Sequence, residues 1–110
     1  MDADALTARV ETGPDRATIL IDGRIDRDGD AALAAAYAEV AAAGATAIRL
    51  DFTAVGYINS TGIALIVRLL TEARRDGRTV EAVGLSDHYR EIFRITRLSD
   101  FMTILEEANA

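Results

Sequence analysis

At 110 residues, half of them hydrophobic and 27% charged, the chain has the composition of one globular domain with a single core, not of a disordered segment. The absence of Cys excludes a disulfide framework, zinc–thiolate sites and thiol nucleophiles. A net charge of −6 repels a phosphate backbone, so nucleic acid is not an expected partner.

The first stretch, "MDADALTARV", lacks a basic region followed by an apolar one, so it does not read as a secretory signal. The longest apolar run, "IALIVRLL", is interrupted by Arg68 and is too short to span a bilayer. The expectation is a cytoplasmic protein with no membrane partner. In chain order, "ALTARVE" alternates Leu6, Ala8 and Val10 against Thr7, Arg9 and Glu11, the period of a half-buried strand. Pro14 in "GPD" suits a turn, and "RATILIDG" follows as the second strand of a hairpin. Leu33, Tyr37 and Val40 fall at helical spacing, with Gly44 placed to close that helix. "TAIRLDF" alternates again and predicts a third strand.

The next helix carries Ile63, Ile66, Leu69, Leu70 and Ala73 on one stripe, with Arg68, Glu72, Arg75 and Asp76 off it, and Gly77 ends it. "TVEAVGL" predicts a fourth strand, and "SDHYREIFRIT" a short helix capped by Ser86 or Asp87. "LSDFMTILEEANA" gives a short apolar segment and a terminal helical turn. Alternation of strands and helices after the opening hairpin implies an α/β domain over residues 1–110. Its mixed, mostly parallel sheet of about five strands has helices packed on it.

Candidate chemistry narrows quickly. Asp26, Asp28 and Asp30 match the first ligands of an EF-hand loop, but Ala31 stands where that loop needs Gly and Tyr37 where it needs Glu. The acids read instead as helix caps, and no metal or other cofactor is expected. A serine hydrolase would need His88, the one His, to reach Ser60, and "INSTG" lacks a nucleophile elbow. Phosphate-cradling Gly-rich motifs are absent. The chain is not expected to be an enzyme.

Asn59-Ser60-Thr61-Gly62 is the remaining feature. Hydroxyls and amides at a helix start satisfy orphan N–H groups, which accounts for one of these side chains. The turn also follows a predicted parallel strand at its C-terminal end, the edge where α/β sheets carry sites. Ser60 is therefore expected to cap the helix and be presented at once. Gly62 would admit the close approach of a partner's backbone. A phosphate on Ser60 would meet the N–H groups and dipole of the helix.

"LDFTAVGYINSTGIALIV" resembles the signature of STAS domains, the sulfate transporter and anti-sigma factor antagonist family. In that signature an apolar strand ends in Asp, an apolar-rich turn comes next, and Asp-Ser-Ser/Thr-Gly opens an amphipathic helix. "IDGRIDRDGDAAL" is similar to the family's Gly-x-x-Asp segment, with Gly23 and Asp26 matching, and "EIFRITRLSDFMTI" to its closing helix and last strand. The likeness spans nearly the whole chain and departs at Asn59, where Asp is usual, and at Arg97, where Gly is common. It implies an anti-sigma factor antagonist that binds a serine kinase able to sequester a sigma factor. Phosphorylation of Ser60, beside Thr61, would end that binding, and a serine phosphatase would be a further partner. The expected contact surface joins the Gly23–Asp28 loop, with Asp26, to Asn59, Ser60, Thr61 and Gly62 and to the helix face near Arg68, because both segments follow strands expected to end on the same sheet edge. The same fold also admits an accessory subunit docking on a transporter ATPase, without phosphorylation.

Overall fold

The computed structural model describes residues 5–105. Strand β1 (Thr7–Thr12) and strand β2 (Arg16–Ile25) form the expected antiparallel hairpin, Thr7 opposite Asp22 and Thr12 opposite Ala17. Helix α1 (Asp30–Ala42) crosses to strand β3 (Ala47–Ile58), and helix α2 (Ser60–Arg75) to strand β4 (Thr79–Val83). Helix α3 (Asp87–Ile95) leads to the short strand β5 (Thr103–Ile104). The five strands lie in sequence order in one sheet, and all pairs after the hairpin are parallel. The terminal helical turn expected from the sequence lies outside the described residues.

Period-two patterning puts Ala17, Ile19 and Ile21 of β2 on the same face as Ile48, Leu50 and Phe52 of β3 and Val80 and Ala82 of β4. That face is buried under Leu33, Ala36, Tyr37 and Val40 of α1, Ile66, Leu69, Leu70 and Ala73 of α2, and Phe93 of α3. Phe93 meets Phe52 edge to face, 5.8 Å between centroids. The opposite face stays polar: Glu81 of β4 pairs with Arg49 on the neighbouring β3 at 2.9 Å and with Arg16 on β2, one strand beyond, at 3.2 Å. Where α1 meets the end of α2, the Tyr37 hydroxyl donates to Asp76 at 2.7 Å. Burial, and next that hydrogen bond, hold the Tyr37 phenol above its ordinary pKa.

Both central strands run further than the alternation suggests. β2 continues through Gly23, at φ +101°, to Ile25, so Gly23 lies within the sheet and not in a loop. β3 continues to Ile58, past the segment expected to be a turn. It does so through two irregularities, between Asp51 and Ala54 and between Val55 and Tyr57, each giving β3 one residue more than β2. The two strands then end in register, Ile25 beside Ile58. The next residues, Asp26 and Asn59, are both extended, and each caps the helical turn after it.

At this point the chain packs against itself with no room to spare. A Cβ on Gly62 would lie 2.0 Å from the Ile25 carbonyl oxygen. The same oxygen accepts from the Asn59 N–H at 3.2 Å. The absence of a side chain at Gly62 is thus used by β2 of the same chain, and Gly62 is buried, not left open to a partner's backbone. Arg97, where Gly is common in the resembling family, sits at φ +68°, a left-handed conformation that costs an L-residue about 1–2 kcal/mol.

Stability should respond to these positions unequally. Gly62→Ala should lose roughly 2–3 kcal/mol as the new methyl pushes β2 and α2 apart. Gly56→Ala, with nothing within 4 Å of its Cβ position, should stay within about 0.5 kcal/mol in denaturant titrations. Equal losses would remove close packing as the reason for glycine at Gly62. Arg97→Gly should gain up to about 1 kcal/mol by relieving the left-handed strain, and a loss in the same titration would show that the ion pair of Arg97 with Asp100, 2.8 Å apart, outweighs it.

Candidate functional site

Two short segments leave the same sheet edge side by side. The first is Asp26 with the 3-10 turn Arg27–Gly29 that precedes α1. The Asp26 carboxylate accepts from the Asp28 N–H at 3.0 Å and from Arg24 Nε at 2.6 Å. The second is Asn59 with the first turn of α2. A shallow concavity between them is lined by Asp26, Arg27, Asp28, Asn59 and Thr61.

Asn59, not Ser60, is the cap. Its backbone is extended, and its Oδ1 accepts from the Gly62 N–H at 2.8 Å, as an N-cap side chain does. Ser60 is the first helical residue and is exposed, and its hydroxyl makes no hydrogen bond among the described residues. The expectation that Ser60 would both cap and be presented is corrected: the two roles are divided between neighbours. Since an Asp at the position of Asn59 would offer the same acceptor oxygen, the departure from the usual Asp keeps the cap and removes a negative charge beside Ser60.

Thr61 is exposed beside Ser60. Arg68 lies eight residues further along α2, about 12 Å at 1.5 Å per residue, and is paired with Asp30 at the start of α1. Its charge is answered inside the chain. Val67 is half-exposed on this side of the helix. Of the residues expected at a contact surface, the exposed ones are Ser60, Thr61 and Arg68; Gly23, Asp26, Asn59 and Gly62 build the backbone beneath them.

The acids of the incomplete EF-hand pattern act as caps and ion-pair partners: Asp26 caps its turn and holds Arg24, and Asp30 holds Arg68. Among the described residues no cluster of three or more His, Cys, Asp or Glu side chains could hold a metal. His88 is exposed in the first turn of α3, its ring 4.9 Å from that of Tyr89. No hydrogen bond joins His88 to Ser60 among the described residues.

Two supports were not foreseen from the sequence. The Ile25 carbonyl joins both segments, and as a backbone atom it has no sequence signature. The Tyr89 hydroxyl accepts from the Ile58 N–H at 2.9 Å, so α3 braces the end of β3 just before the turn. An aromatic residue in the first turn of "SDHYREIFRIT" was the one available hint.

A family profile described as "Mlab, STAS domain" matches residues 8–106. An anti-sigma-B factor antagonist of Listeria monocytogenes is 37% identical over 57 residues, 52% of this chain and 50% of that protein. The chain thus spans about half the length of the curated relatives it matches. Among solved structures, an anti-sigma factor antagonist from Mycobacterium paratuberculosis superposes with a TM-score of 0.80 at 20% identity, over 98% of this chain and 92% of the other. The Bacillus cell fate determinant SpoIIAA in its phosphorylated form gives a TM-score of 0.69 at 18% identity, over 94% and 95%. At such identities these structures show a common fold. The profile match extends over nearly the whole described chain, through both segments of the site, and the chain belongs to the STAS domain family.

Proposed function

We propose that the protein is an anti-sigma factor antagonist that binds an anti-sigma serine kinase and is released by phosphorylation at Ser60. The observation that carries this reading is the division of labour at the turn. Asn59 satisfies the helix start, which leaves the Ser60 hydroxyl exposed and without a structural task. A hydroxyl that held the cap could be modified only by breaking it. The half-length likeness to antagonists of the sigma-B system supports the partner class. The likeness of this fold to SpoIIAA in both unphosphorylated and phosphorylated forms supports the idea that such a domain accepts the group without refolding.

The proposed contact surface is made of Ser60, Thr61, the exposed face of α2 through Val67 and Arg68, and the rim at Asp28. Phosphate would add about −1.5 to −2 charge at neutral pH in the middle of it. The positive end of a 16-residue helix tolerates that charge. A partner packed against a neutral hydroxyl would have to desolvate an anion, which is costly without cations of its own. A serine phosphatase would reverse the step. The action is binding without catalysis by this chain, and the proposed setting is the cytoplasm. Among the described residues no helix is long and apolar enough to cross a membrane.

The test is intact mass and peptide mapping after incubation with an anti-sigma kinase and ATP, then titration of the kinase with wild type and variants. Wild type should acquire phosphate at Ser60 and lose affinity with little change in Tm. Ser60→Ala should stay unmodified and bound, within about 0.5 kcal/mol of wild-type stability, because it removes no cap. Asn59→Ala should cost about 1 kcal/mol, because it does. Phosphate on Thr61, or wild type and Ser60→Ala titrating alike after treatment, would reject Ser60 as the switch and favour the transporter-docking reading.

A further inference from the structure

The end of the molecule remote from Ser60 carries a second surface. Arg74 stands fourteen residues along α2 from Ser60, about 21 Å at 1.5 Å per residue. There a concavity of about 450 Å³ opens between the last turn of α2, the start of β4 and the chain entering β5. Buried Leu70, Val80 and Met102 give it an apolar floor, and Arg74, Arg78 and Phe101 stand around it.

Its unanswered charge is positive. Arg78 is paired with Asp76 at 3.3 Å, whereas the Arg74 guanidinium lies over the Phe101 ring, 5.2 Å from the centroid, and has no carboxylate partner among the described residues. Asp100, the one acid in the lining, is held by Arg97 at 2.8 Å. Phe101 is itself 50% exposed, so an apolar ring and a cation are offered together. A guanidinium resting on an aromatic ring is partly ordered before it meets an anion.

The sheet edge runs along the same rim. β5 pairs with β4 only, and Thr103 lines the concavity. Because the Leu105 N–H donates to Ala82, strand alternation turns the peptide groups of Ile104 away from β4. Among the described residues nothing pairs with them. Such an edge is a template for another strand.

We propose that this groove docks an extended acidic segment of a partner protein. The segment adds as a strand along β5, and its alternate residues face α2, where one sets an apolar side chain on the Leu70–Met102 floor and the next on that face places a carboxylate on Arg74. Main-chain pairing supplies the affinity, and an acidic and an apolar side chain two residues apart, on the face turned to α2, supply the selection. The surface is separate from Ser60 and does not depend on phosphorylation there.

The experiment is an NMR titration of the isotopically labelled full chain with the synthetic peptide acetyl-Thr-Asp-Thr-Val-Thr-Asp-amide, which puts Asp, Val and Asp on one face of a strand, and with its Lys-for-Asp counterpart. The acidic peptide should give saturable shifts at Arg74, Phe101, Thr103 and Ile104 but not at Ser60, weakening as salt rises. Arg74→Glu, at an exposed position, should weaken binding at least about tenfold, whereas Arg9→Glu on the opposite edge strand should not. Ile104→Pro removes the outward N–H without touching a bond to β4, and should also lose binding with the fold monitored in the same spectra. Absence of saturable binding, equal binding of the Lys peptide, or shifts confined to other surfaces would overturn the proposal.

Discussion

The site depends on one close approach, that of the Ile25 carbonyl to Gly62. β2 and β3 end level with each other, and the segments after them must leave the sheet without colliding. The Ile25 oxygen takes the Asn59 N–H and lies directly against the Cα of Gly62, where any side chain would strike it. The start of α2 is thereby fixed to the end of β2, and the segment before α1 is fixed to the segment before α2. A buried carbonyl left without a donor would cost more than the bond itself contributes, so the arrangement resists partial loosening.

The polar groups around this contact all have structural tasks. Asp26 closes its own turn and orients Arg24, while Asn59 closes the first turn of α2. Tyr89, reaching over from α3, takes the last free N–H at the end of β3. Each of these assignments ties down backbone, and together they leave Ser60 and Thr61 with nothing structural to do. A reactive or modifiable hydroxyl is best carried by a framework that does not need it, and Ser60 stands on such a framework.

Much of this was legible beforehand, and the limits have identifiable causes. The hairpin, the buried faces of β2, β3 and β4 and the stripe of α2 follow from period-two and helical spacing, which burial enforces. Period two fails in β3 after Phe52 because two extra residues shift its phase twice, so Thr53 to Ile58 read as a turn although they stay in the sheet. Gly23 read as a loop because a left-handed glycine inside a strand looks, in sequence, like the strand's end. Asn59, Ser60 and Thr61 are all capping residue types. Which one caps is decided by where β3 stops, and that is set by Ile25. The glycine at Gly62 announced a close approach, but only the packing shows that β2 makes it. The pairing of Arg68 with Asp30 joins residues on different helices and has no local signal.

The central claim is that the two segments form one rigid platform beneath the exposed Ser60 hydroxyl. Native-state hydrogen exchange at the Asn59 amide, the donor to Ile25, tests it most directly. The account predicts that this amide exchanges only with an opening free energy close to that of Leu50 in the central strand, before and after phosphate is placed on Ser60. Exchange of Asn59 through a low-energy local opening, or protection that collapses when Ser60 is phosphorylated, would contradict it.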